Sequence, residues 1–227
     1  MTDSLLHRRS FLARLGLSAA AMPAVAAACQ PNDTKAAAST MKAPAAADEL
    51  ATWCAAIPGT QKVIYDCVEP AGGPNGILFA RNFLTFSKSK LNTPDNDMGV
   101  IVSFRHLATP YGYNDAMWAK YPQFAALLKV DDPKTKKPAT RNVPLHDEVE
   151  GFSDATITAL GGKGVKFTVC GAANEFIAGI LAGKTGDAKA VEAELAANLV
   201  PNARIVPAGV VVLQHAQKAG FAYTHAG

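Results

Sequence analysis

Short apolar, β-branched runs alternate with stretches of helical periodicity along most of this 227-residue chain, and that alternation narrows the choice of folds more than any single motif. "QKVIYDCV" (61–68), bounded by Pro58-Gly59 and by "EPAGGPNG", reads as a buried strand followed by a turn. "GILFARNFLTFSKSK" then spaces Ile77, Phe79, Ala80, Phe83, Leu84 and Phe86 as a helix does, until "NTPDND" breaks it. "MGVIVSF" (98–104) is a second strand, and "YNDAMWAKYPQFAALLKV" is helical with a break near Pro122. A short helix in "SDATITAL" precedes the third strand, "GGKGVKFTVC", and two helical pieces follow, "NEFIAGILAGK" and "DAKAVEAELAANL", parted by Thr185-Gly186. "ARIVPAG" is a fourth strand, "VVVLQHAQKAG" a helix stopped by Gly220, and "FAYTHA" a terminal strand. Such a series implies right-handed βαβ units, and so an α/β fold with a mostly parallel five-stranded sheet and helices on both faces. Residues 131–152 interrupt the rhythm with a polar, proline-rich loop, and loops of that length in a domain are usually functional or mobile.

The amino end reads "HRRSFLARLGLSAAAMPAVAAAC". Paired Arg8 and Arg9, Phe11-Leu12, and an Ala-rich apolar run too short for a membrane span resemble a twin-arginine export signal over residues 1–28. "AVAAAC" allows either ordinary cleavage and release, or a lipid anchor on Cys29, which is the one route by which a membrane would become a partner. Residues 29–47 have the small, polar composition of a linker, which leaves 48–227 as a single domain, and the 49% hydrophobic content suffices for one sizeable core. Removing the leader takes away Arg8, Arg9, Arg14 and Asp3 and lowers the formal net charge from +3 to +1. A nearly neutral chain without basic runs interleaved with aromatics is not expected to bind nucleic acid. Export to the periplasm would put Cys54, Cys67 and Cys170 in an oxidising compartment, where an odd count leaves at least one thiol unpaired within the chain.

In a parallel α/β sheet, ligands bind beyond the carboxyl ends of the strands, near the point where the strand order reverses. Cys67 closes the first strand, Arg105-His106 follows the second, Cys170 closes the third and Pro207–Gly209 follows the fourth. A thiol between a strand and a helix N-terminus is placed where the helix dipole and free N–H groups favour thiolate, although a small buried cysteine closing a strand fits the same pattern. Arg105 and His106 are a cation and an imidazole suited to an anionic sulfur species or a metal; a hydrogen-bonded loop pair is the plainer alternative. In the common strand order 2-1-3-4-5 the first and third strands are neighbours, which would bring Cys67 beside Cys170 as a resolving thiol or disulfide partner. Cys54, in "DELATWCAAIPG", is a strand's length from Cys67, about 20 Å at ~3.3 Å per residue, against the roughly 7 Å that disulfide partners need. The expectation is therefore three free thiols or a Cys67–Cys170 link.

Other motifs are absent. "GILAGKTG" resembles a phosphate loop, but Ala178 stands where its first glycine belongs and Gly183-Lys184-Thr185 ends a helix. No Gly-x-Gly-x-x-Gly follows the first strand and no Gly-x-Ser-x-Gly elbow occurs, so no nucleotide cofactor is expected. His146, His215 and His225 lack zinc-ligand spacing.

The carboxyl third, "GVKFTVCGAA" followed by "NLVPNARIVPAGVVVLQHAQKAGFAYTHAG", resembles the DsrE/DsrF-like sulfur-relay family. The shared landmarks are a strand ending in cysteine before a helix, a "VPxG" strand end, and a closing "QxxGxAY" segment, here Gln217, Gly220, Ala222 and Tyr223. The resemblance implies a flavodoxin-like sheet, a homo-oligomer, and Cys170 carrying sulfur as persulfide, exchanged with a small sulfur species or a sulfur-transfer protein. Cytoplasmic members hand sulfur to cytoplasmic partners, whereas an exported chain would need others.

Overall fold

The computed structural model describes residues 45–227. The export signal expected over 1–28 and most of the linker expected over 29–47 lie outside the described residues; positions 45–47 are the first turn of α1 (Ala45–Ala56). The strands are β1 (Gln61–Cys67), β2 (Met98–Phe104), β3 (Lys166–Cys170), β4 (Ala203–Val206) and β5 (Ala222–His225). They form one all-parallel sheet in the order β4-β3-β2-β1-β5, an α/β, flavodoxin-like architecture.

That order dictates where the helices go. From β1 through β4 the chain steps in one direction across the sheet, so right-handed crossovers keep every connecting helix on one face. These are α2 (Gly72–Leu91), α3 (Asp115–Lys120), α4 (Gln123–Leu128), α5 (Val143–His146), α6 (Ile157–Gly162), α7 (Gly171–Ala182) and α8 (Ala188–Ala197). They cover Val63, Tyr65, Cys67, Val100, Val102, Phe104, Phe167 and Val169. The last step runs back from β4 to β5 beside β1, and the same handedness places α9 (Gly209–Lys218) on the opposite face. There α1 and α9 bury Ile64, Ile101 and Val206 under Leu50, Cys54, Val212 and Ala216. No helix among the described residues is long and apolar enough to cross a membrane.

Three expectations change. The strand order is not 2-1-3-4-5: β2 lies between β1 and β3. Cys67 and Cys170 are thus two strand spacings apart, about 10 Å laterally, beyond disulfide reach. They also face opposite ways, because Cys67 belongs with Val63 and Tyr65 under α2, whereas Cys170 alternates away from Phe167 and Val169. The expected Cys67–Cys170 pairing is therefore excluded by the fold, and the three described thiols are free and buried. Second, α2 begins at Gly72, inside the stretch read as a turn. Its glycines are demanded by packing: a Cβ on Gly73 would lie 2.1 Å from the Tyr111 ring and one on Gly76 would lie 2.3 Å from the Cys67 sulfur.

Third, the 131–152 segment is tied down. The Asp132 carboxylate accepts N–H groups of Lys134 and Thr135 and the Nε–H of Arg141, whose Nη2 reaches Asp147. Buried Asn142 donates from Nδ2 to the Tyr111 and Tyr113 carbonyls at 2.8 and 2.7 Å. Between residues 132 and 147, the polar stretch read as a functional or mobile loop supplies its own hydrogen-bond partners.

Candidate functional site

The helix after β3 departs to one face and the helix after β4 to the other, so the crevice between these neighbouring strand ends is the switch point at which α/β sheets bind ligands. Cys170 stands there. It is the N-cap residue of α7, and its sulfur accepts the Ala173 N–H at 3.4 Å. The same sulfur accepts the N–H of Gly209, the first residue of α9, at 3.2 Å. Two helix N-termini thus converge on one sulfur atom, the kind of setting in which backbone N–H groups bind anions. Asn174 steadies the first turn of α7, accepting the Tyr113 hydroxyl at 2.8 Å and donating to the Glu192 carbonyl of α8.

Arg105 reaches the same place from the end of β2. Its aliphatic stem lies across Gly209, where an added Cβ would sit 2.6 Å from both Cβ and Cδ of the arginine. Its guanidinium donates from Nε and Nη2 to the two oxygens of Asp66, at 2.7 and 2.8 Å, and the Tyr223 hydroxyl donates to the same carboxylate at 3.0 Å. Asp66 is fully buried one residue before the end of β1, so without this fork it would be an uncompensated interior charge. The Asp66 hydrogen bonds hold the Arg105 pKa above its ordinary value, with a smaller push from Cys170. His106 adopts a left-handed backbone (φ 52°) and stands exposed at the rim, a conformation a non-glycine residue takes at some cost.

Above Cys170 opens a pocket of about 370 Å³, the lower end of the size range of small-molecule sites. Arg105, His106, Cys170 and Gly209 line its base and rim, and Leu127, Phe176, Ile177, Ile180 and Val210 its walls. Four of the wall residues expose much of their apolar surface to solvent: Phe176 71%, Val210 62%, Ile180 55% and Leu127 39%.

Of the residues singled out from sequence, Cys170, Arg105 and His106 therefore line one pocket, while Cys67 does not. Cys67 is fully buried against α2 on the other side of the sheet, and burial, reinforced by the neighbouring Asp66 charge, pushes its thiol well above the ordinary range. Cys54 is buried as well, and its pKa is pushed up to about 11. Sequence reasoning missed Asp66, Tyr223, the role of the Gly209 N–H and the apolar walls. One signal was available: a carboxylate within the apolar run "VIYDCV" requires a partner. Comparison of the chain with protein-family models, with curated proteins and with solved structures finds no significant match.

Proposed function

We propose that Cys170 is a nucleophilic thiol that takes up and passes on sulfur as a persulfide, in a homo-oligomeric protein of the DsrE/DsrF-like kind that is exported to the periplasm by the twin-arginine route. One observation carries the reading: at the base of an open pocket, the Cys170 sulfur receives backbone N–H groups from the starts of two helices. The nucleophile in sulfur exchange is a thiolate, and backbone N–H groups are the partners that such an anion accepts. Arg105, held by the Asp66 fork, lines the pocket beside Cys170. The partner is a small sulfur species or a sulfur-transfer protein. Cys67 has no part in this reading, because neither its face of the sheet nor its burial lets it resolve a persulfide on Cys170.

Incubating the full chain with polysulfide and mapping its peptides by mass spectrometry tests the proposal. The expected result is an increment of about 32 Da, one sulfur atom, on the Cys170 peptide, removed by dithiothreitol. A Cys170 peptide that stays unmodified, or a Cys170→Ser variant that loads as much sulfur as the wild type, overturns it.

A second reading, a non-catalytic module that binds a small ligand, is favoured by the apolar pocket walls. It concerns an organic ligand, since among the described residues no group of three or more His, Cys, Asp or Glu side chains could hold a metal ion. Under this reading a ligand would shield Cys170 from alkylation without any sulfur appearing on it.

A further inference from the structure

We infer that the sulfur donor for Cys170 is an organic persulfide, with an alkyl or aryl group that fills the pocket, and not a small oxyanion such as thiosulfate. The inference rests on the sulfur-carrying reading of Cys170 and adds the class of molecule that delivers the sulfur.

Three features of the pocket point the same way. The first is access. Cys170 is only 7% exposed and lies at the base of a 370 Å³ opening, so a slender group must enter to reach it, and a flat protein surface cannot. The second is charge. An oxyanion is held best by an unneutralised cation, but the Arg105 charge is paired through Nε and Nη2 with the fully buried Asp66, and the two helix N–H groups point at the Cys170 sulfur itself. The third is the walls. Phe176, Ile180, Val210 and Leu127 hold large apolar areas in water at the mouth, and an alkyl or aryl group seated among them removes that area from solvent together with its own.

The chemistry balances without any outside oxidant or reductant. The Cys170 thiolate attacks the outer sulfur of R–S–SH, the bond between Cys170 Sγ and that sulfur forms, and the bond between the two donor sulfurs breaks. R–S⁻ leaves with the electron pair, and Cys170–S–SH remains. The R group of the departing thiolate is the part that the apolar walls would hold.

Thiosulfonates of graded polarity are stable probes of the same access and the same attack. Hexyl, benzyl and methyl methanethiosulfonate and the anionic 2-sulfonatoethyl reagent each transfer R–S to a thiolate and release methanesulfinate. Rates on the full chain, located at Cys170 by peptide mass and divided by each reagent's rate with free cysteine, should favour hexyl and benzyl over sulfonatoethyl by about tenfold or more, rising by roughly fourfold per methylene that enters. Phe176→Ser with Ile180→Ser, both at exposed positions, should bring the hexyl-to-sulfonatoethyl ratio close to one. Rapid reaction with all reagents at equal normalised rates, or a preference that survives the double substitution, overturns the apolar donor while leaving Cys170 a reactive thiol. Failure of every reagent at Cys170 overturns the donor and the sulfur-carrying reading together.

Discussion

Asp66 and Arg105 meet as a two-pronged ion pair: each carboxylate oxygen accepts one guanidinium N–H, at 2.7 and 2.8 Å, across the ends of β1 and β2. The pair is lopsided in exposure, with Asp66 fully buried and the Arg105 side chain 24% exposed. What it does for the site is positional, because a guanidinium held at both prongs cannot swing away from Cys170 into solvent.

Asp66→Asn should cost about 3 kcal/mol in urea unfolding, the lower end for breaking a buried pair, because Arg105 can partly resolvate. It should also slow iodoacetamide alkylation of Cys170 severalfold. Arg105→Lys keeps the charge but loses the fork, so it should fall short of the wild type in both stability and rate. Wild-type alkylation rates in both variants would show that Arg105 has no bearing on the thiol.

Gly209→Ala should slow Cys170 alkylation with little change in the other thiols. The new methyl would sit 2.6 Å from the Arg105 stem, so either Arg105 or the start of α9 must shift, and the second movement withdraws the N–H from the sulfur. Overpacking of this kind costs about 1–3 kcal/mol, which thermal unfolding would register. Unchanged reactivity in a folded variant would count against the two-helix arrangement as the source of Cys170 reactivity.

Thiol accessibility should separate the cysteines cleanly. In native buffer at pH 8, Cys170 should label, while Cys54 and Cys67, buried in the core with raised pKa values, should label only after denaturant is added. Mild oxidation should yield no Cys67–Cys170 disulfide. Such a link in non-reduced peptide maps of the native protein would contradict the strand order.

The 131–147 staple should loosen in acid. Arg141, with backbone N–H groups, depresses the Asp132 pKa to about 2, and the same arginine lowers that of Asp147. A carboxyl group whose folded pKa lies below its unfolded value stabilises the fold above the unfolded pKa, about 3.9, and loses that contribution as pH falls towards the folded one. Hydrogen-exchange protection across this segment, measured against the intrinsic rate at each pH, should therefore fall between about pH 4 and pH 2 ahead of the sheet, and Arg141→Ala should show low protection already at neutral pH. Protection that does not change across this window would sink the assignment.

The sequence by itself determined the five strands, the long helices between them and their order. Each strand shows as a short apolar run and each long helix as a 3.6-residue pattern, because burial of one face is written in nearby residues. Cys170 was legible for the same reason: strand, cysteine and helix are consecutive. Arg105 and His106 were placed correctly at the end of β2, although nothing local said which side chain would hold the arginine.

Only the tertiary structure decided what depends on residues far apart in the chain. The periodicities are the same for every strand order, so whether Cys67 met Cys170 rested on long-range pairing, and placing β2 between them removed the contact. The Gly72-Gly73-Pro74 stretch read as a turn because its glycines are locally permissive; the approach of the Tyr111 ring makes them the start of a helix. The candidate site is assembled the same way. Asp66 comes from β1, Arg105 from the end of β2, Leu127 from α4, Phe176 and Ile180 from α7, and Gly209 from the start of α9. Only folding brings them together around one sulfur atom, since the burial and hydrogen bonding that join them act through space and leave no periodic trace in the sequence.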